Sequence, residues 1–100
     1  MPVPDDSPRV RITHRSIDGP LTGADILNLR AYLDETQTFF AHRFGRSRST
    51  MGRAETEDRI DDSLRLAVRT FWVLLHTELQ RSALQGRQHQ PPPPLPVTAN

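Results

Sequence analysis

Two short helical patterns meet at a single glycine between Gln37 and Glu55, and that junction constrains the fold more than any other stretch. Thr36 precedes the first pattern as an N-cap candidate, since its hydroxyl can accept from the free amides of a helix start. Phe40 and Phe44 follow at i and i+4, on one helical face. Gly45 then ends the helix, because glycine takes the left-handed C-cap conformation without steric cost. Ser47 or Ser49 caps a second helix running to about Glu55. Ala41 is small enough to let the two helices approach, and Met51 supplies the apolar anchor on the inner side of the second.

The flanking patterns extend this into one helical domain, the size that 100 residues allow. Upstream, Thr22 and Asp25 have the spacing of a capping box, and Ile26, Leu29 and Leu33 share one face of a helix expected to end near Asp34 or Glu35. Downstream, Thr56 offers a further cap, and Glu57, Asp58, Asp61 and Asp62 suit the positive end of a following helix. That helix is expected to be long, roughly Arg59 to Gln85. Ile60, Leu64, Ala67, Val68, Phe71, Leu75 and Leu79 form its stripe, and Leu66, Trp72, Val73 and Leu74 widen it, so it needs burial on more than one side. The predicted fold class is all-α, with about four helices. Val10–Thr13 alternates and allows one short N-terminal edge strand. Asp18-Gly19-Pro20 reads as a turn. The expected division is a disordered leader over 1–8, a helix-turn-helix domain over 9–58, the long C-terminal helix over 59–86, and a disordered proline-rich tail over 87–100.

Charge is segregated. All thirteen basic residues are arginine, and the net charge is only +1. Thr36 to Arg53 holds Arg43, Arg46, Arg48 and Arg53 with no acid, whereas Glu55 to Asp62 holds five acids against Arg59. The chain has no cysteine, which removes disulfides and thiolate chemistry together and fits a reducing compartment. The acidic, proline-rich start is unlike a signal peptide and no apolar run has membrane-spanning length, so a cytoplasmic protein is expected. His14, His42, His76 and His89 lack metal-ligand spacing, Ser47 and Ser49 have no neighbouring base, and Asp61 and Asp62 point to different sides of a helix. No metal site, cofactor or enzymatic activity is expected.

In order along the chain, Leu29, Arg30, Tyr32, Leu33, Thr36, Gln37, Phe40, Ala41, Phe44, Gly45, Ser47, Arg48, Ser49, Thr50, Met51, Arg53 and Glu55 form a pattern that resembles the phage-repressor-like (lambda-repressor-like, XRE-type) helix-turn-helix family. The resemblance implies a DNA-binding transcriptional regulator in which the second helix enters the major groove. It implies that Arg48, Ser49 and Arg53 face base edges, arginine being suited to guanine. It implies backbone contacts from Gln37, Ser47 and Thr50, with Arg43 and Arg46 adding sequence-independent attraction. The chain departs from the family in three places. Arg46 follows the turn glycine where an apolar residue is usual, Ala54 replaces a larger apolar residue, and Gly52 lies within the second helix at a cost of up to ~1 kcal/mol against alanine. Looser packing of that helix in the absence of DNA follows as an expectation.

One motif makes few contacts, so a homodimer on a palindromic operator is expected, with Phe71, Trp72, Leu75 and Leu79 of the long helix as dimer contacts and repression as the outcome. The rival expectation is an antitoxin-like or mobile-element accessory protein whose C-terminal helix holds a protein partner.

Overall fold

The computed structural model describes residues 17–84, 86 and 90–97. Four helices follow in order: α1 Gly23–Leu33, α2 Gln37–Arg43, α3 Arg48–Glu57 and α4 Asp62–Leu84. No strand occurs among the described residues, and the fold is all-α. The strand allowed over Val10–Thr13 and the leader over 1–8 lie outside them. Among the described residues, no helix is long and apolar enough to cross a membrane.

Side-chain caps set the first three helix boundaries. The Thr22 hydroxyl accepts from Asp25 N at 3.2 Å, and the Asp25 carboxylate accepts from Thr22 N at 2.9 Å, which completes the capping box of α1. Thr36 caps α2 through Phe39 N. At the end of α2, Gly45 takes φ +67°, its amide donates to His42 O, and Arg46 N donates to Ala41 O at 2.9 Å. This pair of bonds satisfies carbonyls the helix leaves open and turns the chain sharply. Ser47 then caps α3.

The start of α4 differs from expectation. Thr56 is no cap: it lies inside α3, where its hydroxyl donates to Gly52 O at 2.8 Å. Asp58 ends α3 in the left-handed region at φ +53°, and Asp61 caps α4 by accepting from Leu64 N at 2.7 Å. The run of acids therefore spans a whole turn between helices, and only its last member, Asp62, enters α4.

Ile26, Leu29, Phe40, Ala41, Met51, Ala54, Leu64, Val68 and Trp72 form one buried core to which all four helices contribute. Phe40, Phe44 and Phe71 meet edge to face, with ring centroids 5.1 and 5.7 Å apart. Ala54 is fully buried in this core. A Cβ added at Gly23 would lie 2.4 Å from Ala54 O and 2.3 Å from Glu55 O, so the start of α1 rests directly on the end of α3. Gly23 N also donates to the Asp58 carboxylate at 2.6 Å. Gly52 is different, because a Cβ there would meet only the Gln37 amide at 3.5 Å, an ordinary contact. Gly23→Ala is expected to lower unfolding free energy by about 2–3 kcal/mol through overpacking against backbone. Gly52→Ala is expected to raise it by up to ~1 kcal/mol through helix propensity. Urea unfolding of the two variants beside wild type checks both signs.

The proline-rich segment is the largest departure from expectation. Residues 90–97, expected to be disordered, lie along α1 and α4 as a strap. Trp72 Nε1 donates to Pro93 O at 2.9 Å, Tyr32 Oη to Gln90 O at 2.5 Å, and Arg69 Nη1 to Pro96 O at 2.7 Å. Arg69 also donates to Ile17 O and Pro20 O, so one guanidinium ties both flanking segments to α4. Burial pushes its pKa down, and the neighbouring Arg65 acts in the same direction.

The strap covers part of the broad apolar surface of α4, the surface from which Phe71, Trp72, Leu75 and Leu79 were expected to meet a second copy. Trp72 is 1% exposed inside the chain. Phe71 is half-buried between Phe44 and the Arg43 guanidinium, 4.6 Å above its ring. Leu75 packs on the core, and Leu79 lies beside Pro91 and Pro92. Among the described side chains of α4, the exposed large apolar ones are Leu66 and Leu74.

Candidate nucleic-acid interface

At about 100° per residue, α3 divides into two halves. Met51 and Ala54 are fully buried, and the side chain of Glu55 is 4% exposed, so these three define the inner half. Arg48, Ser49, Arg53 and Thr56 are exposed, and with Gly52 they define the outer half. The three side chains expected to face bases therefore share one open face. Among the described residues, neither Arg48 nor Arg53 has an ion-pair partner, and the first turn of α3 carries no acid.

The arginines behind that face are placed differently. Arg43 pairs with Glu35 and covers Phe71, while one Glu35 oxygen, Oε1, is buried without a partner. Arg46, in the position that departs from the family pattern, reaches Asp61 at 3.4 Å and Ser63 Oγ at 3.1 Å and ties the turn to the start of α4. Ser47 is occupied in capping, and its hydroxyl meets Thr50 Oγ1 at 3.0 Å. Gln37 is half-buried and donates through Nε2 to Glu55 Oε1 at 3.0 Å, which leaves its second amide hydrogen and its carbonyl oxygen for other partners. The expected backbone-contacting residues thus surround α3, but most of them also hold the fold together.

What fixes α3 is a charge cluster that the sequence reading did not find. Arg30 of α1 grips Glu55 with two bonds, Nε to Oε2 at 2.7 Å and Nη2 to Oε1 at 3.0 Å, and its Nη1 donates to Glu35 O at 3.0 Å. With Gln37, this joins α1, α2 and α3 at one carboxylate. The hydrogen bonds that Arg30 donates to the Glu55 carboxylate raise its guanidinium pKa above the usual arginine value. Glu55 is four residues after Met51 and therefore on the inner face of α3. An acid on a buried face needs a partner, and that was the available signal. Together, Met51, Ala54 and the Arg30–Glu55 pair fix the inner face of α3 against α1 and α2.

Comparison with family models, with curated proteins and with solved structures finds no match to this chain.

Proposed function

We propose that this chain is a sequence-specific DNA-binding regulator, acting as a repressor, that lays the outer face of α3 in a major groove. The observation that carries this reading is the exposed arc Arg48–Ser49–Arg53–Thr56, with half-buried Gly52 within it, on a helix whose opposite face packs into the core. Two guanidinium groups on one helical face, neither with an ion-pair partner among the described residues, suit guanine edges, and Ser49 between them suits either base type. Gly52 leaves the middle of the face low, so backbone can approach the groove closely. Ser47, Thr50 and the outward parts of Gln37, Arg43 and Arg46 flank the arc and suit phosphate contact.

Selection of bound duplexes from a random library tests the reading. The expected result is a palindrome whose half-sites are about 34 Å apart, or one helical turn. Recovery of no preferred sequence would overturn it.

Two half-sites require two copies of the chain. Leu66 and Leu74, eight residues apart on α4 and 37% and 49% exposed, are the surface we assign to the second copy. Leu66→Glu with Leu74→Glu is expected to leave the fold intact and to move the species seen in sedimentation from dimer to the 11.4 kDa monomer. A wild-type chain that is already monomeric at micromolar concentration would contradict the assignment.

A further inference from the structure

Residues 90–97 repeat their contacts every third residue. The carbonyls used are those of Gln90, Pro93 and Pro96, which accept from Tyr32, Trp72 and Arg69 respectively, with His76 Nε2 also 3.0 Å from Pro93 O. Pro92 is buried and Leu95 packs on the core. Pro91, Pro94 and Val97 are exposed. Three edges with three different fates are the signature of a polyproline-II helix, which has three residues per turn and no internal hydrogen bonds. The covalent structure enforces this form. Each proline fixes its own φ, and every residue from Gln90 to Pro93, as well as Leu95, precedes a proline and is held out of the helical region. The receiving groove has the chemistry of peptide sites that read such helices, namely aromatic walls with hydrogen-bond donors aimed at backbone carbonyls.

We propose that the groove between α1 and α4, formed by Tyr32, Arg69, Trp72 and His76, is a polyproline-II recognition site. Residues 90–97 fill it in cis, and a proline-rich peptide of the same three-residue register binds it in trans. All four groove residues address backbone carbonyls that any such peptide presents, and the 92/95 edge selects a proline followed three residues later by a bulky apolar residue. A tether as short as residues 85–89 holds the strap at an effective concentration near the millimolar range, so a competing peptide gains access only when the tether is cut or the strap is weakened. The site is independent of the proposed DNA face. Arg30, which points to α3, lies about 160° around α1 from Asn28 and Tyr32 and about 100° from Ala31, the three residues of α1 that flank the strap.

The test uses the full chain with a protease recognition sequence placed at residues 87–89. Trp72 is the only tryptophan, so indole emission reports this one side chain where the groove meets the core. After cleavage, the strap is expected to co-elute with the body at high micromolar concentration and to leave on dilution, with Trp72 emission moving to longer wavelength. Adding the synthetic peptide Gln-Pro-Pro-Pro-Pro-Leu-Pro-Val should restore both emission and any helicity lost. Tyr32→Phe should weaken that peptide by about five- to tenfold, the value of one hydrogen bond, whereas Arg48→Ala should leave its affinity unchanged. The proposal is overturned if the strap separates with no change in Trp72 emission. It is equally overturned if millimolar peptide restores nothing, or if a peptide of the same composition in scrambled order restores as much.

Discussion

Glu55→Ala is expected to destabilise the chain by about 3 kcal/mol, a large share of the ~5–15 kcal/mol that holds a domain folded. The carboxylate is the common acceptor for Arg30 and Gln37, and its side chain is 4% exposed while that of Arg30 is 20% exposed. Removing it leaves a part-buried guanidinium without its acceptor and breaks the polar link that joins α1, α2 and α3 at one carboxylate. Breaking a buried pair from one side costs ~3–5 kcal/mol, and the residual exposure of Arg30 places this case at the low end. For a chain of this length, the melting temperature should fall by roughly 12–24 °C. Glu55→Gln, which keeps an acceptor oxygen, should lose less than half as much. Glu57→Ala is the control. Glu57 pairs with Arg59 at 3.4 Å with both side chains more than half exposed, and an exposed pair is worth under ~1 kcal/mol. Equal melting temperatures for Glu55→Ala and Glu57→Ala would show that the cluster does not brace α3.

The contrast between these two acids marks the limit of what the sequence makes legible. Local chemistry was readable. Thr22 with Asp25, Thr36 and Gly45 each set a boundary through atoms within a few residues and appear in the structure where their spacing places them, and of the two serines able to cap α3 it is Ser47 that does so. The inner face of α3 was readable for the same reason, since Met51 and the residues around it follow the helical period. Long-range pairing left no such trace. Arg30 and Glu55 are 25 residues apart, and nothing periodic connects them. Composition was actively misleading at the C-terminal end. Prolines that cannot enter a helix were read as disorder, although the same rigidity presents carbonyls at a fixed spacing to Tyr32, Trp72 and Arg69. The excess apolar surface of α4 was correctly noticed and then assigned to a second copy of the chain, when much of it is covered by the chain itself. The misplaced start of α4 has a similar origin. Thr56 and Asp61 are both chemically able to cap, and only the left-handed turn at Asp58 decides between them.

The second large effect concerns the outer face of α3. Replacing Arg48 and Arg53 together with alanine should leave the fold unchanged, because both side chains are exposed and neither has an ion-pair partner among the described residues. Binding should change greatly. A two-pronged arginine–guanine contact is worth ~1–3 kcal/mol, so the pair should account for roughly 2–6 kcal/mol, or between about thirtyfold and about twenty-five-thousandfold in affinity for the selected duplex. The loss should be specific to sequence. A duplex altered at the contacted base pairs should bind the double variant about as well as the selected one does, whereas wild type should discriminate between them. Arg46→Ala should behave differently. Its guanidinium is already engaged by Asp61 and Ser63, so its removal should weaken all duplexes alike and reduce the dependence on salt.

The central claim is that α3 reads base edges through its exposed arginines, and the most direct measurement is a titration of the selected duplex at several salt concentrations with wild type and with Arg48→Ala. The prediction for wild type is an affinity that falls steeply with salt and distinguishes the selected site from a scrambled one. Arg48→Ala should keep the salt dependence and lose discrimination at one base pair of each half-site. Binding by wild type that ignores salt, or an Arg48→Ala variant that matches wild type on every duplex, would contradict the claim.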